Sequence, residues 1–271
     1  MFILPEKLRL RDTVMTDMNR FYKKIAIVTG SSLGIGRATA LKLTREGATV
    51  ILNARDTERL HKVKDSIDAE SGTSMLFAGD ITQQSIIDRI VSHVLDQYGR
   101  IDVLINNAGG GIDVYPVENI TDKDWDHSLE SNLTNVFRIC RSVVPIMKKQ
   151  NYGRIVNVSS VAGRTRGHLS GTPYSAAKAG LQGFTRHLAW ELGHVGITVN
   201  AVAPGITSTE RAMRKWERRS NEEQQRILGN IALHRFASPD EIASAIAFLA
   251  SDEASYITGI TMDVNGGIFM S

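Results

Sequence analysis

The sequence predicts an α/β fold, a parallel sheet covered by helices on both faces, in one domain. Three observations lead there. Short β-branched runs alternate with longer helical patterns from about residue 24 to the end of the chain. The runs are apolar on both faces, as in "KKIAIVTG", and strands of that kind are buried from both sides. No Pro/Ser-rich linker and no internal repeat divides the chain.

The elements follow in order. "KKIAIVTG" is a buried strand ending at Gly30, and "GIGRATALKLTREG" is an amphipathic helix closed by Gly47. "ATVILNAR", "TSMLFAGD" and "IDVLINNAG" are the second, third and fourth strands. Between them, "TERLHKVKDSIDAES" and "SIIDRIVSHVLDQYG" are helices, the latter stopped by Gly99. A long helix over about 122–149 is expected to bend near Pro145, because proline removes a helical hydrogen bond. "GRIVNVSS" is the fifth strand, a helix runs over 174–192, and "GITVNAVAPG" is the sixth strand. "SPDEIASAIAFLAS" is a helix with Ser238 as N-cap and Pro239 at its first position, and "GITMDVNGG" is the seventh strand. Residues 1–21 are polar and separate from the first strand. They read as a loose arm, as an upstream start before Met15 or Met18, or as a packed N-terminal helix. The folded domain is expected over 22–271.

Composition narrows the function. With 271 residues, 42% hydrophobic, the chain is long enough for a core that needs no metal or disulfide. The one cysteine, Cys140, lies in an apolar-periodic stretch and reads as a buried, inert thiol. It fits a reducing compartment, and a cytoplasmic location is expected. A net charge of +3 is too small to argue for nucleic acid. No stretch is apolar and long enough to span a bilayer, and the start lacks the pattern of a signal peptide. The seven histidines have no metal-ligand spacing, so no metal is expected. Ser160 with a distant histidine would need a G-x-S-x-G elbow to suggest a hydrolase, and none occurs.

The chemistry begins at "TGSSLGIG", Thr29 to Gly36, between the first strand and the first helix. Such a loop offers backbone N–H groups and the positive end of a helix dipole to an anion. Gly30 makes the turn, Gly34 permits close approach of a pyrophosphate, and Gly36 lets helix and strand pack. The T-G-x-x-x-G-x-G spacing resembles the classical short-chain dehydrogenase/reductase family. "NNAG" at 106–109, "SNLTNVF" with Asn132, "VNVSS" ending at Ser160, "YSAAK" from Tyr174 to Lys178 and "APGI" at 203–206 match its further motifs in order. The resemblance covers about 24–267 and implies a doubly wound Rossmann fold.

It also implies a hydride-transferring oxidoreductase acting between a nicotinamide and a ketone or secondary alcohol. Tyr174 would be the general acid or base. Lys178, one helical turn away, would lower the phenol's pKa and hold the nicotinamide ribose. Ser160 would hold the reacting oxygen; Ser159, its neighbour, faces the other way. Asn132 would hold a water on a proton path from Lys178. The implied cofactor-binding residues are Gly30, Ser32, Leu33, Gly34, Ile35, Gly36, Arg55, Asp80, Ile81, Asn107, Ala108, Gly109, Tyr174, Lys178, Pro204, Gly205, Ile206 and Thr209. Asp80 reads equally as a cap for the turn that follows it. At the end of the second strand, where NAD-binding members carry an acid, this chain has Ala54 and then Arg55. A guanidinium suits a 2′-phosphate, so NADP(H) is expected to be preferred, with NAD(H) possible. The other reading of Arg55 is a loop cap or a partner for Glu58. Asp56 stands one place late for the ribose acid.

A lid over the substrate is expected at about 207–235. Met213 and Trp216 would form an apolar lid there, and Arg211, Arg214, Lys215, Arg218 and Arg219 would meet an anion. The alternative is a solvated helix with a Glu210–Arg214 pair. The resemblance is closest to 3-oxoacyl-carrier-protein reductases and to related ketone or polyol dehydrogenases. Where carrier-protein reductases tend to place basic residues, this chain has Asn151 and Trp190, which speaks against a carrier-protein substrate. Alternative substrates are 3-oxoacyl thioesters and sugars or polyols. A homotetramer or homodimer is implied, and the stripe Leu181, Phe184, Leu188 and Leu192 suits an interface or a core. The opposing functional reading is a catalytically silent nucleotide-binding regulator on the same fold. Such a protein would be expected to lack one of the catalytic residues that this chain keeps.

Overall fold

The computed structural model describes residues 19–111, 114–167 and 169–270. Its frame is a parallel sheet of β1 (Ile25–Thr29), β2 (Thr49–Ala54), β3 (Thr73–Ala78), β4 (Val103–Asn106), β5 (Gly153–Val158), β6 (Ile197–Pro204) and β7 (Thr261–Val264). The strand order is β3-β2-β1-β4-β5-β6-β7. The expected α/β Rossmann architecture, a doubly wound seven-stranded sheet, is what forms.

The helices are α1 (Gly34–Arg45), α2 (Thr57–Ala69), α3 (Gln84–Tyr98), α4 (Asp122–Leu129), α5 (Asn135–Gln150), α6 (Thr172–Leu192), α7 (Glu210–Trp216), α8 (Asn221–Gly229) and α9 (Pro239–Ala250). Alternation along each strand feeds two cores. Ala26 and Val28 of β1 point to one face, where Leu43 of α1, Leu60 and Val63 of α2, and Ile242 and Ile246 of α9 pack. Ile25 and Ile27 point to the other, against Ile87 and Ile90 of α3, Ile139 and Val143 of α5, and Leu181 and Leu188 of α6. Leu181, Leu188 and Leu192 are therefore core residues, and Phe184 packs against them.

Local chemistry sets the helix ends. Ser238 and Glu241 form a reciprocal capping box at α9, with Pro239 in the first turn as the sequence suggests. Gly99, at φ 69°, ends α3 in the left-handed conformation. The long helix over 122–149 is interrupted at a place that the sequence does not mark. A π-helical turn, Glu130–Thr134, separates α4 from α5, while Pro145 sits inside α5. One extra residue per turn swings the following helix, and that turn carries Asn132.

Of the arm expected over 1–21, residues 1–18 lie outside the described residues. Asn19 to Phe21 are docked. Phe21 is buried in the first core and Arg20 pairs with Glu46 and Glu253.

Candidate active site

Strand order reverses between β1 and β4, so the loops leaving these two strands diverge and open a crevice at their carboxyl ends. A cleft of about 730 Å³ occupies it, within the range of small-molecule sites. Of the expected site residues, Gly36 and Asn132 lie off its wall and the others line it.

The glycine loop forms the floor. Gly30 has φ +65°, and a Cβ there would lie 2.9 Å from Ala108 Cα. A Cβ at Gly36 would collide with the Gly30 carbonyl and the Asn107 amide, so Gly36 serves the packing of α1 against β1 and β4. Gly34 faces Thr209 across the cleft, its Cβ position 2.8 Å from Thr209 Cγ2. Helix α1 has Leu33 at its N-cap, with no side-chain cap and no acid in its first turn. Its first N–H groups therefore remain available to an anion in the cleft. This bare cradle fits a dinucleotide's pyrophosphate.

One end of the cleft is basic. Arg55 is largely exposed and stands 3.8 Å from Asp80 instead of reaching Glu58. Arg59, which the sequence reading passed over, also lines this end, 3.2 Å from Asp56. Asp56 caps α2, accepting from Arg59 N, so its carboxylate is already engaged. Arg55 leaves the second strand just before the Asp56 cap and Arg59 lies in the first turn of α2, so both reach the same edge of the cleft. Asp80 accepts from Thr82 N and Oγ1 while lining the cleft, so the capping reading and the wall position both hold.

The opposite end holds Ser160, Tyr174 and Lys178. Ser159 points away, donating to Lys178 O at 3.1 Å, whereas Ser160 lines the cleft, its Oγ accepting from Ala162 N at 3.1 Å. Lys178 is 4% exposed, its Nζ donates to Val158 O at 2.7 Å, and it lies 5.6 Å from the Tyr174 ring centroid. Burial lowers the Lys178 ammonium to about 7. Burial likewise raises the Tyr174 phenol, opposed by the Ser160 hydrogen bond and the Arg211 charge. The expected depression of the phenol by Lys178 is thus absent in this state. The phenolate is desolvated and the lysine has itself lost much of its hold on a proton.

Asn132 lies just off the cleft wall. It is fully buried, its Nδ2 donates to Ser128 O and Gly110 O, and its Oδ1 accepts from Gly110 N. The side chain holds the loop after β4. Met213 and Arg214 do not line the cleft, and Trp216 stacks edge-on against Phe236 at 4.7 Å in a small core beneath the lid. Within 207–235, the residues that reach the cleft are Thr207, Thr209, Glu210, Arg211, Ala212 and Lys215.

A family model described as short chain dehydrogenase matches residues 24–220. The chain belongs to this family. Among curated members, the 3-oxoacyl-[acyl-carrier-protein] reductase FabG of Salmonella typhimurium is 42% identical over 92% of this short chain dehydrogenase and 99% of its own length. The enzyme of the same name from Thermotoga maritima is 41% identical, over 92% and 99%. Among solved structures, gox2181 superposes with a TM-score of 0.89 at 32% identity, over 94% of this chain and 98% of its own. YwfH, titled an NADPH dependent reductase involved in bacilysin biosynthesis, gives 0.86 at 31% identity, over 92% and 99%. An actinorhodin polyketide ketoreductase with NADPH gives 0.85 at 34%, over 90% and 97%.

The Lys178 environment makes a prediction independent of any ligand. Its folded pKa of about 7 lies below the ordinary lysine value of 10.5, so between these values the folded chain binds fewer protons than the unfolded one. Stability contributed by this group therefore rises with pH across that window and is lost as pH falls to about 7. Denaturant midpoints measured from about pH 7 to 9 should rise more for the native sequence than for Lys178→Met. Parallel profiles would contradict the buried, neutral-leaning lysine.

Proposed function

We propose that this short chain dehydrogenase interconverts a ketone and a secondary alcohol with NADP(H), Tyr174 moving the proton. The observation that carries this reading is one continuous cleft with a phenol, a hydroxyl and a buried amine at one end and two guanidinium groups at the other. The named relatives are reductases, and two structural neighbours carry NADPH in their titles. The alternative of a silent nucleotide-binding regulator has no such support.

The N-terminus of α1, with Ser32, Leu33 and Ile35, would hold the pyrophosphate. Arg55 and Arg59 would take the 2′-phosphate, with Asp80 and Ile81 beside the adenine. Asn107, Ala108 and Gly109 would flank the adenosine, and Pro204, Gly205, Ile206 and Thr209 the nicotinamide end. When bound, the reduced cofactor supplies a hydride to the carbonyl carbon. Ser160 then holds the carbonyl oxygen and Tyr174 Oη donates its proton there, leaving an alcohol and a phenolate. The raised phenol pKa keeps that proton in place until the oxygen becomes basic. Lys178, close to Tyr174 and poised near neutrality, returns a proton to the phenolate. In the reverse direction the same groups take protons up.

Exposed Phe137 and Trp190, on α5 and α6, support assembly with further copies as a homotetramer or homodimer. The single buried thiol, Cys140, is in keeping with the cytoplasmic location expected from the sequence.

Tyr174→Phe should lower turnover of a ketone by at least about a hundredfold while NADPH still binds. Near-normal turnover in that variant would reject the assignment. Calorimetric titration should show NADPH binding about ten- to a hundredfold more tightly than NADH, with Arg55→Ala removing most of the difference. Equal affinities in the native protein, or an Arg55→Ala protein that still discriminates, would count against the 2′-phosphate reading.

A further inference from the structure

Arg211, in the first turn of α7, extends from the lid across the mouth of the cleft. Its Nη1 and Nη2 donate to the carbonyl oxygens of Gly109 and Gly111, each at 3.3 Å. Between these two, Gly110 clears the space: a Cβ there would overlap the guanidinium itself. The contacts are long for charge-assisted bonds, and among the described residues no carboxylate pairs with this guanidinium. Of the four acids on the cleft wall, Asp56 pairs with Arg59, Asp80 with Arg55 and Glu130 with Arg138, while Glu210, next to Arg211 in the chain, forms no ion pair with it.

The position matters because of what lies next to it. Gly111, whose carbonyl Arg211 holds, has its Cβ position 3.5 Å from Tyr174 Cγ. One glycine thus separates the guanidinium from the catalytic phenol. The Arg211 charge is also felt at Tyr174, where it opposes the effect of burial. A cation with two weak backbone acceptors, beside the proton donor and open to the cleft, is arranged to exchange those acceptors for a stronger one. Neighbouring basic residues are placed differently: Arg214 is exposed and off the wall, and Lys215 donates to Leu169 O at 3.4 Å.

We propose that Arg211 selects the substrate, its guanidinium binding an oxyanion a few atoms from the reacting carbonyl, so that keto acids are preferred over neutral ketones. Planar, bidentate donation matches a carboxylate. The inference rests on the reductase reading given above. It differs from recognition of a thioester through its remote phosphate, since the anion it requires lies close to the carbonyl.

The test compares 3-oxobutanoate, its ethyl ester and its N-acetylcysteamine thioester, with NADPH as reductant. The native enzyme should show a kcat/KM for the acid at least about tenfold above that for the ester. Arg211→Met should collapse the acid-to-ester ratio by about ten- to a hundredfold, chiefly through KM, while Arg214→Met keeps the native ratio. Calorimetric titration of 3-oxobutanoate into NADPH-loaded Tyr174→Phe protein should detect binding that the added Arg211→Met change abolishes. Equal efficiency on acid and ester, preference for either neutral compound, or an unchanged ratio in Arg211→Met would overturn the inference and leave the reductase reading standing. Failure to reduce all three would overturn both.

Discussion

The site depends on a clasp between two loops that would otherwise part. Thr29 ends β1 and Asn107 follows β4, and these strands are neighbours at the point where strand order reverses. Thr29 Oγ1 accepts from both Asn107 N and Ala108 N at 3.0 Å and donates to Ile105 O at 3.3 Å. Asn107 answers by donating its Nδ2 to Thr29 O at 2.9 Å and Gly30 O at 3.1 Å. The clasp sits where helix α1 must start, which is why Gly36 admits no side chain. Losing the hydroxyl would strand two backbone donors, each costing about 1–3 kcal/mol if buried. The glycine loop, the bare start of α1 and the wall formed by Asn107 to Gly109 are held in register by these few bonds.

At the other end of the cleft, burial sets the resting state of the acid. It raises the phenol of Tyr174 and lowers the amine of Lys178, so the pair stores its proton on the tyrosine. Backbone geometry keeps them there. The π-helical turn before α5 lets Asn132 grip both polar groups of Gly110, and Arg211 grips Gly109 and Gly111 from the lid. The loop after β4 is thereby tied to the sheet, to the α4–α5 junction and to Arg211 of α7.

Much of this was legible in the sequence because it rests on local signals. The apolar runs give the strands, Gly99 and Ser238 mark helix ends, and the spacing of Gly30, Gly34 and Gly36 gives the cradle. What was not legible depends on partners far along the chain. Nothing in "ESNLT" distinguishes a π turn from an α turn, so the irregularity was assigned to Pro145, which the helix accommodates. That the Asn132 side chain grips Gly110 is likewise not legible, since it is fixed only by the meeting of two distant segments. Trp216 looked like a lid over substrate, but Phe236 supplies it with a neighbour beneath the lid. The i, i+4 spacing of Tyr174 and Lys178 was read correctly as proximity. The net upward shift of the phenol was not legible, since it comes from burial and periodicity carries no information on desolvation.

The central claim is that the Thr29–Asn107 clasp holds open a site for a dinucleotide at the strand-order reversal. Calorimetric titration of NADPH into a Thr29→Val protein tests it directly, valine keeping the shape of threonine while deleting the hydroxyl. The account predicts a folded protein, with an unchanged circular dichroism spectrum, whose affinity for NADPH is at least about tenfold weaker. A Thr29→Val protein that binds NADPH as tightly as the native one would contradict it.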